Sequence, residues 1–185
     1  MSRNYKFHNP NAAYFVSFAV VEWLPIFTKK EYIDIVLDCL RFCQKNKGME
    51  IYSWIIMPNH MHLVFQSMDG QPPELLLGDF KRFTSNAIVK AIKENPEESK
   101  REFYLARFRV SASKSSNVKH HQFWIHDNRP IELWSNHVIA QKIRYIHNNP
   151  VVAGLVNYPE DYEYSSAVDY SGQKGLLDGV VLVDI

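Results

Sequence analysis

The sequence predicts an α+β fold, a ferredoxin-like sandwich in which helices pack on the faces of a central antiparallel sheet. The predicted elements follow the order strand, helix, strand, strand, helix, a basic segment with one short strand, and a final helix. Only Pro58 and Asn59 separate the two consecutive strands, and this turn pair favours an antiparallel hairpin. The chain has 185 residues, of which 46% are hydrophobic, so we expect residues 1–185 to form a single domain with ample core.

The first strand and the first helix are predicted from hydrophobic patterning. Residues 14–21 are rich in aromatic and β-branched side chains, which is typical of a buried strand. Apolar residues then recur with helical spacing at Tyr32, Ile35, Val36, Cys39, Leu40 and Cys43. Gly48 is expected to end this helix. The only two cysteines, Cys39 and Cys43, lie four residues apart on one helical face, which favours core packing over a disulfide.

The later elements follow from the same kind of pattern. Residues 50–57 and 60–66 are predicted as the two hairpin strands, with the second on the inside of the sheet, and a second amphipathic helix is predicted to close before Asn95. We expect a basic excursion at about 95–122, with at most one short strand or helix, and a short strand at 123–125. Ser135 can cap a third helix that stops at Asn149–Pro150, and an acidic, aromatic segment, 157–185, is expected to pack back on the domain.

Charge is segregated along the chain, although its net value is only +1. Between residues 81 and 121 there are ten Lys or Arg against four Glu, whereas residues 157–185 hold six Asp or Glu and one Lys. A segregated basic segment suggests a polyanion partner, although a basic loop is often only a solvated surface. Single-stranded DNA binders combine such a basic track with aromatic stacking surfaces. The candidate DNA-binding residues are Lys81, Arg82, Arg107, Arg109, Lys114 and Lys119, with Trp124 as a stacking surface. The acidic segment offers the further hypothesis that it covers the cleft and mimics DNA.

His60 and His62 are the first candidates for chemistry. Successive side chains of a strand point to opposite faces, so both imidazoles lie on one face, about 7 Å apart along the strand. This spacing allows two imidazoles to reach one metal ion. The alternative interpretation is a half-buried strand with two hydrogen-bonded histidines.

The third helix carries the second group of candidates. A metal ion bound by two imidazoles needs a third protein ligand, and the strand itself offers only Gln66 on the same face. Gln141, Tyr145 and either Asn148 or Asn149 follow one another at helical spacing. They could supply a nucleophile and a metal ligand. Alternatively, Tyr145 packs in the core and the asparagines only end the helix.

Two motifs closely resemble the REP-associated tyrosine transposases, which are single-tyrosine HUH transposases of the insertion-sequence type. The first is residues 57–64, MPNHMHLV, and the second is residues 145–156, YIHNNPVVAGLV. The resemblance extends to the opening strand, residues 79–85, residues 123–133 and residues 162–167, and so covers nearly the whole chain. Two such motifs in this order, about 80 residues apart, form a specific combination.

This resemblance implies a metal-dependent strand transferase. His60 and His62 would bind a divalent metal, Mg or Mn, with Asn149 as the third ligand. Tyr145 would attack a phosphodiester in single-stranded DNA, which leaves a 5′-phosphotyrosine link and a free 3′-hydroxyl, and the reversed attack on a second end would rejoin strands. A phenol, with an ordinary pKa of about 10, is a tolerable leaving group for such a reversible step.

The resemblance also implies a DNA target, a short tetranucleotide next to a hairpin formed by a palindromic repeat. The candidate base readers are Arg3, Asn4, Tyr5 and Lys6, together with the aromatic C-terminal segment. On residue chemistry alone, imidazole ligands would instead suggest Zn or Mn. Because residues before proline avoid the helical conformation, Asn148 and Gln141 compete with Asn149 as the third ligand.

Two other functions fit the same residues, namely a metal nuclease that uses water as nucleophile and a non-catalytic DNA-binding regulator. The protein would act either as a monomer with its tyrosine in cis or as a homodimer that exchanges tyrosine helices. The N-terminus has no apolar signal region and no run of eighteen apolar residues occurs, so we expect a cytoplasmic protein without membrane attachment.

Overall fold

The structure, a computed structural model, describes residues 7–68, 70–114 and 120–185. The DNA contact predicted for Lys119 lies outside these ranges, as does the base-reading role predicted for Arg3, Asn4, Tyr5 and Lys6.

Four antiparallel strands form the central sheet. They are β1 (Ala13–Ala19), β2 (Met49–Met57), β3 (His60–Ser67) and β4 (Ile131–Leu133), and their order across the sheet is β2-β3-β1-β4. This arrangement confirms the predicted α+β class and places the histidine strand inside the sheet. The short strand predicted at 123–125 is wrong, because Trp124 makes only one isolated bridge, to Val20. The edge strand is β4 instead.

Five helices accompany the sheet in the described part of the chain. They are α1 (Lys30–Lys47), α2 (Pro73–Glu94), α3 (Arg101–Ser113), α4 (Asn136–Val152) and the short α5 (Ala167–Tyr170). Gly48 ends α1 with a φ of +62°, a conformation that favours glycine. The Ser135 hydroxyl accepts a hydrogen bond from the Val138 N–H (3.3 Å) and so caps α4 as predicted. The described part of the basic excursion contains one helix, α3.

The predicted stop of the third helix at Asn149–Pro150 is wrong. Helix α4 continues to Val152 with Pro150 inside it. A proline this close to the C-terminus removes one backbone hydrogen bond and leaves few turns to disturb. Asn149 is therefore helical and lies one turn after Tyr145, on the same side of α4.

The two faces of the sheet support cores of different size. Alternate residues of β1, such as Val16 and Phe18, join the large core with α1 and α2. The other residues, such as Phe15, join a smaller cluster that Ile146 of α4 helps to close. Met61 and Leu63 of β3 belong to the large core, so His60 and His62 face α4.

The C-terminal segment runs along the outer edge of β2. Backbone hydrogen bonds join Ile56 N–H to Tyr164 O (3.0 Å), Ser166 N–H to Trp54 O (3.0 Å) and Val181 N–H to Ile51 O (2.8 Å). These bonds satisfy an edge that would otherwise be open for pairing with another chain. In the part of the chain that the structure describes, no helix is long and apolar enough to cross a membrane.

Candidate active site

The two histidines of β3 lie side by side on the face toward α4. Their ring centroids are 4.9 Å apart, and the Phe15 ring stacks on His62 at 5.5 Å. The Asn59 side-chain oxygen lies 2.7 Å from His60 Nδ1, which orients that ring. The same-face geometry predicted for the pair is therefore present in the structure.

Burial favours the neutral form of both imidazoles. Burial lowers the pKa of His60. Burial, with smaller contributions from His60 and Lys142, lowers the pKa of His62 to about 3, whereas the Asn149 side chain, as an acceptor for the ring, raises it. Neutral imidazole is the form that binds metal ions, because the lone pair of a ring nitrogen is then free.

Helix α4 brings Tyr145 to this pair. The Tyr145 ring centroid lies 5.5 Å from that of His62 and 5.9 Å from that of Phe15. The residue nevertheless stays 53% exposed, so its hydroxyl is accessible to a large substrate. The alternative that Tyr145 is a core tyrosine does not agree with this exposure.

Of the three candidate amide ligands, Asn149 lies near His62, and its side chain raises the pKa of that histidine. The Asn149 Nδ2 donates to the Tyr145 carbonyl (2.7 Å). Because the amide nitrogen is occupied in this way, the amide oxygen is the atom available on the histidine side. The side chains of Gln141 and Asn148 make no hydrogen bond within the described ranges. All three amides and Tyr145 line a cavity of about 820 Å³ beside α4.

Lys142 belongs to the same group, although the sequence analysis did not select it. Its Nζ lies 5.1 Å from the centre of the Phe15 ring and 5.8 Å from that of Tyr145. It precedes Tyr145 by three residues, so both side chains project from one face of the helix. That spacing could have identified Lys142, but a lysine on an amphipathic helix is usually only a solvated charge.

The donor set fits a divalent metal ion. The Nδ1 atom of His62 is buried and has no hydrogen-bond partner among the described residues. A buried nitrogen without a hydrogen-bond partner raises the free energy of the folded state unless a ligand binds to it. With the second imidazole and the Asn149 amide oxygen, the site offers three neutral donors. No group of three His, Cys, Asp or Glu side chains arranged for a metal occurs in residues 7–68, 70–114 and 120–185.

The predicted DNA-binding cations occupy different environments. Arg82 pairs with Asp79 (2.6 Å), and Arg107 pairs with Glu22 (3.6 Å) while lying over the Phe103 ring. Arg109 lines a cavity of about 400 Å³ together with Lys93, His120 and His121, and Lys114 is exposed at the end of α3. A phosphate contact by any of these four residues remains a prediction.

Lys81 points into the protein. Its Nζ donates to the Ile125 carbonyl (2.9 Å) and to the Asn128 side chain, and it lies 5.0 Å from the centre of the Phe18 ring. Burial lowers the pKa of Lys81 to about 7, against the attraction of Asp127. The lysine therefore anchors the loop before β4, and a phosphate contact would require it to leave both acceptors.

The stacking role predicted for Trp124 is wrong. Trp124 is only 4% exposed, and its indole N–H donates to the Thr84 hydroxyl (3.0 Å). Its ring stacks on Phe27 at 5.6 Å and contacts Phe18 at 4.9 Å. This side chain belongs to the large core and presents no face to a base.

Comparisons with known proteins identify the family and the fold. The family model described as "Transposase IS200 like" matches residues 14–128, which is well over half of the chain and includes both histidines. No curated protein matches the sequence.

Two solved structures resemble the chain. One is a REP-associated tyrosine transposase bound to a REP hairpin; it matches with a TM-score of 0.66 and 15% identity over 100% of this chain and 95% of that chain. At this identity the likeness is one of fold. The other, a protein of Deinococcus radiodurans described as a transposase, matches with a TM-score of 0.45 and 17% identity over 80% and 95% of the two chains.

Proposed function

Because the chain belongs to the IS200-like transposase family, we propose that it cleaves and rejoins single-stranded DNA beside palindromic hairpin repeats, with Tyr145 as the nucleophile. The structurally similar REP-associated tyrosine transposase binds a REP hairpin, which supports this class of substrate. The observation that carries the proposal is the 5.5 Å between the ring centroids of Tyr145 and His62 within one chain. This proximity favours a tyrosine that acts in cis.

The proposed step is a transesterification. The Tyr145 oxygen forms a bond to phosphorus as the bond from phosphorus to the 3′-oxygen breaks, and the phenolic proton is transferred to that leaving oxygen. The products are a 5′-phosphotyrosine and a free 3′-hydroxyl. Attack of a 3′-hydroxyl on the phosphotyrosine reverses the step and joins two strands. No high-energy cofactor is required, because the tyrosine ester conserves the phosphodiester bond energy.

His60, His62 and Asn149 would hold a divalent metal, Mg or Mn. When bound, such an ion polarises a phosphate oxygen and offsets the charge that grows there. The protein contributes a rigid strand for the histidines and a helical turn that carries Asn149. Lys142 adds a fixed positive charge beside the Tyr145 ring, where a phenolate and a phosphate would both be stabilised.

Replacing Tyr145 with Phe tests the nucleophile. The probes are labelled hairpin oligonucleotides with a single-stranded flank of randomised sequence, incubated with Mn²⁺ and analysed for protein–DNA adducts that survive denaturation. We expect the wild-type protein to form the adduct and Tyr145→Phe to form none while it keeps hairpin binding. Tyr158→Phe, at another exposed tyrosine (64%), is the matched control and should form the adduct normally.

The other outcomes distinguish the alternative functions. Cleavage without any adduct in the wild-type protein would indicate a nuclease that uses water. Hairpin binding without cleavage would indicate a DNA-binding regulator. An undiminished adduct in Tyr145→Phe would show that a different residue attacks.

The metal site is tested by binding in the absence of DNA. We expect Mn²⁺ to raise the unfolding temperature of the wild-type protein, because a ligand that binds only the folded state stabilises it. Asn149→Ala should weaken Mn²⁺ binding by about tenfold or more, whereas Asn148→Ala should leave it unchanged. Equal Mn²⁺ affinity in Asn149→Ala and in the wild-type protein would remove Asn149 from the ligand set.

A further inference from the structure

Trp23 lies next to the histidine pair without any role in the proposed chemistry. It ends the short 3-10 turn, Val21–Trp23, that follows β1, and it is 56% exposed. Its ring centroid lies 5.6 Å from that of His60, with the two ring planes at 67°. A large aromatic surface is therefore open to solvent at the edge of the candidate metal position.

The backbone at this point is strained. Glu22 and Trp23 have φ values of +54° and +55°, and the other positive-φ residue apart from glycine in the described ranges is Arg129. A bulky side chain in this region is an outlier, and such strain gathers at functional sites. The Trp23 N–H bonds to the Val20 carbonyl (3.0 Å), and Glu22 pairs with Arg107 of α3 (3.6 Å). The fold therefore maintains a costly conformation that turns the indole outward.

The other three tryptophans make a useful contrast. Trp54 and Trp124 are buried in the large core. Trp134, between β4 and α4, is 79% exposed but makes no ring contact in the described part of the structure. Trp23 alone of these four combines exposure with contact to a candidate metal ligand.

We propose that Trp23 is a stacking platform for one unpaired base of the DNA strand, next to the phosphate that reacts. The proposal rests on the proposed function, because it places that phosphate beside His60 and His62. An unpaired base offers a free aromatic face, whereas bases inside a duplex stack on each other, so the platform selects single-stranded substrate. Stacking on an indole tolerates any base, which distinguishes this contact from sequence recognition.

Trp23 would act by positioning the strand. A base fixed on the indole limits how far the neighbouring phosphate can move relative to Tyr145. Since Trp23 touches His60, stacking would also hold that imidazole in place from the solvent side.

The test compares two probes, a short oligothymidine strand and an abasic strand of the same length, in EDTA so that no cleavage occurs. We expect Trp23→Ala to bind oligothymidine about tenfold or more weakly and the abasic strand as tightly as the wild-type protein does. Trp23→Phe should retain most of the preference for oligothymidine over the abasic strand, because phenylalanine still stacks. In a Trp134→Phe background, Trp23 is the remaining exposed tryptophan, and oligothymidine should quench its fluorescence while the abasic strand should not.

An equal loss of affinity for both strands in Trp23→Ala would mean a structural role, and unchanged affinity for oligothymidine would mean no contact. Either result overturns the proposal. Failure of the proposed function is recognised separately, as the absence of a Tyr145 adduct with the hairpin probe. In that case Trp23→Ala would still lower the affinity for oligothymidine more than the affinity for the abasic strand.

Discussion

At the scale of single residues, the candidate site depends on one face of α4. Lys142, Tyr145 and Asn149 follow at intervals of three and four residues, so all three side chains project from one face of the helix. The tyrosine and asparagine were predicted because they form a motif. Lys142 was missed because its spacing from Tyr145 is common among solvated lysines, and only its proximity to Phe15 of β1 marks it as part of the site.

The charge of Lys142 is expected to raise the cleavage rate. We expect Lys142→Met to lower the single-turnover cleavage rate by about tenfold to a hundredfold, because a positive charge beside the reacting groups is lost. Lys142→Arg should keep most of the rate. The measurement is cleavage of the labelled hairpin at saturating protein.

Lys174→Met is the matched control, since Lys174 is an exposed cation outside α4 that pairs with Asp178 (3.5 Å). Its cleavage rate should stay near that of the wild-type protein. A rate in Lys142→Met equal to that of Lys174→Met would show that Lys142 contributes only surface charge.

The two aromatic assignments show why exposure was difficult to predict. Trp124 follows a basic segment and is predicted to stack, yet it is buried against Phe18 and Phe27. Trp23, in an ordinary connector, is exposed next to His60. Sequence shows that an aromatic residue is present, whereas the packing of distant elements decides which of its faces is free.

At the scale of elements, patterning predicted the long helices and the hairpin correctly, and short or mixed elements less well. Helix α3 buries Tyr104, Leu105, Phe108 and Ala112, which recur at helical spacing, but arginines and serines between them obscure the pattern. Strand β4 has three residues, too few for an alternation to be recognised. The extension of α4 through Pro150 depends on packing that overrides the local preference.

The loop between α2 and α3 provides a prediction about stability. Glu98 is 5% exposed and accepts bonds from Lys29 (2.8 Å), the Tyr32 hydroxyl (2.9 Å) and the Lys100 N–H (3.0 Å). Burial alone would raise the pKa of Glu98, but these bonds outweigh it and lower the pKa below its ordinary value. The carboxylate thus joins the start of α1 to the α2–α3 loop.

We expect Glu98→Gln to lower the free energy of unfolding at neutral pH by about 1–3 kcal/mol, because bonds to a charged acceptor are lost. A carboxyl with a lowered pKa in the folded state stabilises the protein above its ordinary pKa and loses that effect as the pH falls through the folded value. The difference between the two proteins should therefore shrink below about pH 4. Denaturant titrations at several pH values measure it.

Glu97→Gln, at an exposed neighbouring position, is the control and should change the free energy of unfolding by less than about 0.5 kcal/mol. If the deficit of Glu98→Gln were the same at pH 7 and pH 3, the ionised carboxylate would not be its cause.

At the scale of the whole molecule, the sheet separates the side with the large core from the side with the candidate site. The large core lies toward α1 and α2, whereas α4 covers the other face with a small cluster and leaves the histidines at its margin. This division was predictable in outline, because β3 alternates apolar residues with His60 and His62. The position of the C-terminal segment was not, since its pairing with β2 depends on backbone bonds rather than on a side-chain pattern.

The C-terminal segment is expected to protect the edge of β2. Deletion of residues 157–185 should lower the unfolding temperature and promote self-association, because the edge of β2 loses its partners at Tyr164, Ser166 and Val181. Differential scanning fluorimetry and sedimentation velocity measure the two effects.

The hypothesis that the same acidic segment mimics DNA is tested separately with a charge variant. The double variant Glu160→Gln/Glu163→Gln changes two exposed positions. It removes two negative charges and keeps the backbone pairing with β2. We expect unchanged stability and unchanged DNA affinity. An increase in DNA affinity with normal stability would support the mimic.

The separation of the site between β3 and α4 also has a consequence during protein synthesis. The ribosome produces the histidines first and the segment with Tyr145 and Asn149 much later. A nascent or prematurely terminated chain that ends before Asn136 carries the residues of β1, β2 and β3 but lacks α4, and with it the proposed nucleophile. The candidate site can therefore be completed only after most of the chain has been made.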